Sequence, residues 1–293
     1  MIADITLDHI AVAVDSWESG WPTLLGNLNG KWRSGGMQPG FAPSQYAFEN
    51  DMKIELIAPY MTDHNDFLKR FIEKSGTGPH HMTFKVKDIT AAIKEIEAKD
   101  FRIVSKNIDN DWWKELFLYP KETCGIVIQL AQASGTWFVP PPENIPRINT
   151  SAKSELKYIC YVVKDISVAK KTFIDLLGGQ IVTEGSFPEN NLKYLYIKWP
   201  GPGRILLLFS DDMDDQFINS SLNNKLGKVE YLYFEITQSG NISGVEFDEA
   251  KFKDLLFSHK IQTDIEDILS PSNLRLIKQS SSFNVNCVIN YLS

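Results

Sequence analysis

Little in this chain favours the commoner ways of recognising a macromolecule or a membrane. Among 293 residues there are three cysteines, five histidines and no surplus of positive charge: 30 Lys and Arg face 37 Asp and Glu, a net charge of −7. A nucleic-acid binder would carry a basic stripe, and none is present. Apolar runs are short; residues 205–209 form the densest, which has the length of a strand and falls far below the roughly 18 residues that span a bilayer. Met1-Ile2-Ala3-Asp4 lacks the basic stretch that opens a secretion signal. Cys124, Cys160 and Cys287 are odd in number, far apart and set among apolar residues. They predict buried, reduced thiols in a cytoplasmic protein. What is present is the 43% apolar and 12% aromatic content of a chain that buries a core, at a length that predicts two domains or one large one.

One phrase is written repeatedly. Asp8-His9-Ile10-Ala11-Val12 and His80-His81-Met82-Thr83-Phe84 each open an alternating apolar segment, followed by an acidic turn and a helical stretch. Glu55, in Lys53-Ile54-Glu55-Leu56, and Gln129, in Val127-Ile128-Gln129-Leu130, recur at matching places. The pattern predicts strands over 5–14, 31–34, 43–49 and 52–58, with a helix over 17–28 capped by Asp15-Ser16 and ended by Gly30. A short helix follows over 65–74. A second unit has strands over 80–87, 101–105, 114–119 and 125–132 and a helix over 89–99. If the two units pack face to face, His9, Glu55, His81 and Gln129 converge. Two imidazoles, a carboxylate and an amide at one point suit a divalent metal.

Three consecutive prolines, Pro140 to Pro142, remove backbone donors and mark a boundary. They divide the chain into a module over 1–135, a linker over 136–152 and a second module over 153–293. The second module repeats the phrase: Leu156-Lys157-Tyr158-Ile159-Cys160 matches Leu7-Asp8-His9-Ile10-Ala11, and Lys164-Asp165-Ile166 matches Lys87-Asp88-Ile89. By the same matching, the four polar positions become Tyr158, Leu206, Tyr231 and Asn290. That set has neither carboxylate nor imidazole, so no divalent metal is expected there.

Other features carry less. Strand alternation puts His80 on the face opposite His81. His64 sits in a polar loop, and His259 at the end of a second-module helix beside Lys260. Trp112 and Trp113 precede a strand, where packing is the default and a substrate-facing role the alternative. Gly35-Gly36 and Pro39-Gly40 form a hairpin placed to cover a cup. Lys121 is read as an exposed lysine, with contact to an anionic substrate group as the alternative. Gly201-Pro202-Gly203 is a hairpin turn with no Walker pattern after it.

These phrases, together with Phe117-Leu118-Tyr119-Pro120-Lys121 running on to Gly125-Ile126-Val127-Ile128-Gln129-Leu130, resemble the vicinal oxygen chelate superfamily. It includes glyoxalase I, methylmalonyl-CoA epimerase, extradiol dioxygenases and bleomycin-resistance proteins, and the nearest branch looks like the epimerase. The resemblance is strong over residues 5–132 and reaches only pattern level over 155–292. It implies an α+β fold of two tandem modules: four βαβββ units forming two cupped eight-stranded sheets. It carries the metal ligands over to His9, Glu55, His81 and Gln129, with zinc, nickel, cobalt, manganese, magnesium or iron as the ion. One departure stands out. Relatives usually keep a glutamate at the last position, where it also moves the substrate proton; here it is Gln129, and the carboxylate is Glu55. Glu55 is then the one ligand that can double as a base. The resemblance implies a metal-dependent isomerase, epimerase or lyase acting on a small oxo compound or thioester. The alternative is a non-catalytic binding protein of the bleomycin-resistance type. The expected partner is a small molecule, not nucleic acid or membrane, and a homodimer is left open.

Overall fold

A computed structural model describes residues 1–135, 138–148, 151–187, 192–237, 274–277 and 283–292. The expected repeat is its architecture. In the first unit β1 (Thr6–Ala13) leads into α1 (Trp17–Trp21), which widens into a π-helical turn over Pro22–Asn27, then β2 (Lys31–Gly35), β3 (Gly40–Ala47) and β4 (Lys53–Tyr60). A connecting helix α2 (Phe67–Ser75) precedes the second unit: β5 (Gly78–Lys85), α3 (Ile89–Ala98), β6 (Ile103–Asn107), β7 (Trp113–Leu118) and β8 (Val127–Ala133). The third unit repeats the first, with β9 (Lys153–Val163), α4 (Ile166–Lys170) passing into a π turn at Lys171–Leu176, β10 (Gln180–Ser186), β11 (Leu192–Lys198) and β12 (Arg204–Ser210). After α5 (Gln216–Leu222) come β13 (Gly227–Thr237), β14 (Leu274–Ile277) and β15 (Cys287–Leu292).

The repeated Lys-Asp-Ile phrase has a local cause. Asp88 accepts hydrogen bonds from the backbone of Thr90 and Ala91, and Asp165 does the same for Ser167 and Val168. Each caps its helix, a contribution of about 1 kcal/mol.

The first sheet runs β2-β3-β4-β1-β5-β8-β7-β6. Its centre, β1 against β5, is antiparallel, and each of these strands has a parallel neighbour, β4 or β8. That order gives the sheet a pseudo-two-fold axis between β1 and β5. The second sheet runs β10-β11-β12-β9-β13-β15-β14, seven strands among the described residues. The stretch between β13 and β14, which contains His259 and the helix expected to end there, lies outside them. Between β8 and β9 no helix or strand occurs among the described residues. Trp32 Nε1 donates to the Val139 carbonyl at 2.7 Å, which ties the proline-rich segment to the first module.

The faces away from the two cups share one core. Ile10, Val12, Met82 and Phe84 of the first sheet join Ile159, Tyr161, Leu232 and Phe234 of the second in a single buried cluster. Phe48 meets Phe234 with centroids 5.0 Å apart, and Phe84 meets Trp199 at 5.1 Å. Tyr161 Oη donates to the Cys124 carbonyl at 2.7 Å. Gly227 permits this approach: a Cβ there would lie 2.2 Å from the Cys124 oxygen. The three cysteines are free and buried. Among the described residues no helix is long and apolar enough to cross a membrane.

Candidate metal centre

Register decides what meets in the first cup. Ala11 lies opposite Glu55 on β4 and opposite His81 on β5, while His9 lies opposite Thr83. Glu55 and His81 are thus level with Ala11, whose methyl is the only side chain between them in the register, and His9 reaches in from two residues away. The donor atoms of the three lie within 4.8 Å of one another. Glu55 Oε2 is 3.6 Å from His9 Nε2 and 3.8 Å from His81 Nε2. Both distances exceed hydrogen-bonding range. Both Nε2 atoms are buried without a hydrogen-bond partner. An orphaned buried polar atom costs about 1–3 kcal/mol, and here two point at the same place.

The donor set fits a divalent cation. Ligand bonds of about 2.0–2.2 Å put tetrahedral donors roughly 3.4 Å apart, close to the two separations above. The other polar side-chain atom of each residue is already held. Glu55 Oε1 accepts from Gln45 Nε2 at 2.9 Å. His9 Nδ1 lies 2.8 Å from Asp8 Oδ2, and His81 Nδ1 lies 2.8 Å from His80 Nδ1. Such partners fix the ring orientation and leave Nε2 free to bind a cation.

Two β-bulges produce this second layer. The β1–β5 ladder steps from Leu7 to His9 against consecutive partners, and from His81 to Pro79 against consecutive partners. Asp8 and His80 are the residues passed over. A bulge breaks alternation, so each turns in beside the histidine that follows it. The expected placement of His80 on the opposite face is therefore corrected. It bonds to His81 and packs against Phe71 and Phe67 of α2, with centroids 4.6 and 6.1 Å away.

The two histidines differ electrically. Burial disfavours a charge on His9, but the Glu55 and Asp8 carboxylates outweigh it and lift its pKa to about 9. Burial, with His80 and His9 adding to it, holds His81 well below the usual imidazole value, hence neutral. Burial also lowers His80, to about 4. Burial opposes ionisation of Asp8, but the hydrogen bond from His9 and the cations around it prevail and hold it well below the carboxylate range. Lys53 adds a second contact, Nζ to Asp8 Oδ1 at 3.2 Å.

Gln129 is buried on the same face, opposite Thr83. Its amide is engaged: the oxygen accepts from the Thr83 hydroxyl, and Nε2 donates to Glu115 Oε2 at 2.7 Å. Trp113 Nε1 donates to the same carboxylate oxygen at 2.8 Å. The structure thus brings His9, Glu55 and His81 together and places Gln129 beside them with its hydrogen bonds made. Asp8, Gln45, His80 and Glu115 were not foreseen as parts of the site. For Glu115 and Gln45 a signal existed, since both are strand polar residues that alternate onto the cup face.

In the second cup the corresponding register needs one correction. Gln129 pairs with Thr83, and the equivalent pair is Val288 with Tyr233; Asn290 pairs with Glu235 two residues further on. The positions are therefore Tyr158, Leu206, Tyr231 and Val288, all in one buried apolar cluster. Tyr158 stacks on Tyr233 with centroids 4.7 Å apart. Tyrosine and aliphatic side chains thus occupy the positions that hold polar groups in the first cup.

Residues 8–117 match the model of the Glyoxalase/Bleomycin resistance protein/Dioxygenase superfamily. No curated protein matches the chain. Solved structures do. A hypothetical protein from Staphylococcus aureus is 13% identical, and the match covers 98% of this chain and 100% of that one with a TM-score of 0.56. A hypothetical protein from Bacillus halodurans is 24% identical over 46% of this chain and 98% of its own, with a TM-score of 0.42. Methylmalonyl-CoA epimerase from Mycobacterium tuberculosis is 20% identical over 44% of this chain and 89% of its own, with a TM-score of 0.40. The staphylococcal match runs through both modules and shows the tandem fold. Over residues 8–117 of the first module, the chain is similar to the glyoxalase, bleomycin-resistance and dioxygenase superfamily.

Proposed function

We propose that the first cup binds one divalent metal through His9, Glu55 and His81, and that the protein is a metal-dependent enzyme of the glyoxalase and epimerase kind. Its substrate would be a small oxo compound or thioester. The observation that carries this reading is the pair of buried, unpartnered imidazole nitrogens aimed with a carboxylate oxygen at one point. A cation held there would supply Lewis-acid polarisation of a substrate carbonyl and so ease removal of the neighbouring proton. Glu55 carries the one carboxylate in the triad and is the proposed base; Gln45 holds one of its oxygens and leaves the other directed at the imidazoles. Gln129 cannot take a proton near neutral pH. Its role here is to orient Glu115 and to stand beside His81 as a fourth donor.

Metal analysis of gently purified protein tests the first step: about one divalent ion per chain, lost in His9→Ala and His81→Ala. A protein that neither retains metal nor takes it up on titration would match the alternative, a binding protein, which the amide at position 129 favours. Deuterium exchange at the α-carbon of acyl thioesters and glutathione hemithioacetals tests the second. Exchange should be weak in the native protein and weaker still in Glu55→Gln. Gln129→Glu alone would set two carboxylates together, and like charges that close make one of them hold a proton. The double change Gln129→Glu with Glu115→Gln keeps the amide–carboxylate pair and exchanges its members. General-base catalysis contributes about 10²–10⁴-fold, so exchange should rise within that range. Fast native exchange that survives Glu55→Gln would place the base elsewhere.

A further inference from the structure

Lys85 stands on β5 beyond His81 and Thr83, and alternation puts all three on the cup face. The residues between them, Met82 and Phe84, go to the shared core. Among the described residues the Lys85 ammonium makes no hydrogen bond and no salt bridge. Its polar contact is the face of Trp113, with Nζ 4.0 Å from the ring centroid. Lys53 close by is different: its ammonium is bound by Asp8 Oδ1 at 3.2 Å and by the Asp51 carbonyl at 2.9 Å. Lys85 is half-buried, and burial lowers its pKa, with Asp8 opposing the drop and Lys53 adding to it. Removing an ammonium from water without a partner is costly, and a ring face returns only about 0.5–2 kcal/mol.

The anions nearby are engaged elsewhere. Asp8 is held by Lys53 and His9, and one oxygen of Glu55 by Gln45. Glu115, across Ala131 from Lys85, accepts from Gln129 and Trp113. Lys53 has two carboxylates within reach, Asp8 Oδ1 at 3.2 Å and Asp51 Oδ1 at 3.7 Å. The Lys85 ammonium has no anion in contact among the described residues, and it asks for a monoanionic group.

We propose that the substrate is an oxo acid with a remote carboxylate, which Lys85 seats against Trp113 while the oxo end lies between His9, Glu55 and His81. This rests on the metal-site reading above. The Cα atoms of Lys85 and His81 are four strand residues apart, roughly 13 Å. The lysine stem and a substrate of about five carbons bridge that span together. The carboxylate of such a substrate supplies the hydrogen bonds and the charge that the ammonium lacks, and the ring beneath keeps water from the ion pair.

Two probes differ only at the far end: 2-oxoglutarate carries a remote carboxylate, and 2-oxopentanoate a methyl group. Calorimetric titration of each into metal-loaded native protein, Lys85→Met and Lys85→Arg gives the comparison, after metal uptake has been measured for all three. The native protein should bind 2-oxoglutarate at least about ten-fold more tightly. The preference should vanish in Lys85→Met and persist within about three-fold in Lys85→Arg, with metal uptake unchanged throughout. Equal affinities in the native protein, a preference that survives Lys85→Met, or no binding of either acid to loaded protein overturns the inference and leaves the metal site standing. Failure of the native protein to take up metal removes both.

Discussion

His9 and His81 are the same residue type on equivalent strands, yet their partners make them unequal. A carboxylate backs His9 and a neutral imidazole backs His81. Without metal, His9 keeps a proton up to about pH 9. Its folded value lies above the unfolded one, so its protonation stabilises the metal-free fold at acid and neutral pH, and that contribution fades as pH rises through 9. A metal held as proposed would have to displace this proton. Apparent metal affinity should therefore rise about ten-fold per pH unit through neutrality and level off above pH 9. Competition with a chromophoric chelator across that range gives the slope; a flat profile would show that His9 is not a ligand. Asp8→Asn and His80→Asn should each weaken metal binding by about 10–100-fold, the range for partners that orient ligands, without changing its stoichiometry. His9, Glu55 and His81 were legible in the sequence because the repeat places them at matching points. Asp8 and His80 were not, because strict alternation sends a strand neighbour to the other face.

The bulges are a property of the element, and the second module has them too. Its β9–β13 ladder passes over Lys157 and Glu230, the counterparts of Asp8 and His80. Each passed-over residue is surplus to the ladder. Removing His80 would join Pro79 to His81 and leave every other β5 side chain on its own face. Removing Met82, which is paired, would shift one part of the strand against the other and turn core residues into the cup. In urea denaturation the His80 deletion should cost about 1–2 kcal/mol, within the ordinary range for one lost packing contact, and should keep the native m-value. The Met82 deletion should not fold. Element boundaries were readable from alternation and from the Asp caps. The π turns after α1 and α4 were not, since their apolar spacing reads as plain helix. The last strand was read two residues out of register at Asn290, because Val288-Ile289-Asn290-Tyr291 and Val127-Ile128-Gln129-Leu130 match as strings while the ladder aligns Val288 with Gln129.

At the scale of the whole molecule, the two cups open away from a core that both modules build. Such a core predicts one cooperative transition in calorimetry, with the calorimetric and van't Hoff enthalpies equal. Two resolved transitions would mean that the contacts of Phe234 and Trp199 with the first sheet contribute little. Phe234→Ala, in the middle of that core, should lower stability by about 3–5 kcal/mol while leaving the distant metal site able to load. The proline-rich segment that follows β8 adds a different consequence. Two separate chains that had to meet across such a surface would come apart on dilution, and their melting temperature would depend on concentration. Here the meeting is intramolecular: a tether of this length holds the second module at an effective concentration on the order of millimolar. The module whose cup is filled with tyrosines thus serves the other as a partner that never dissociates.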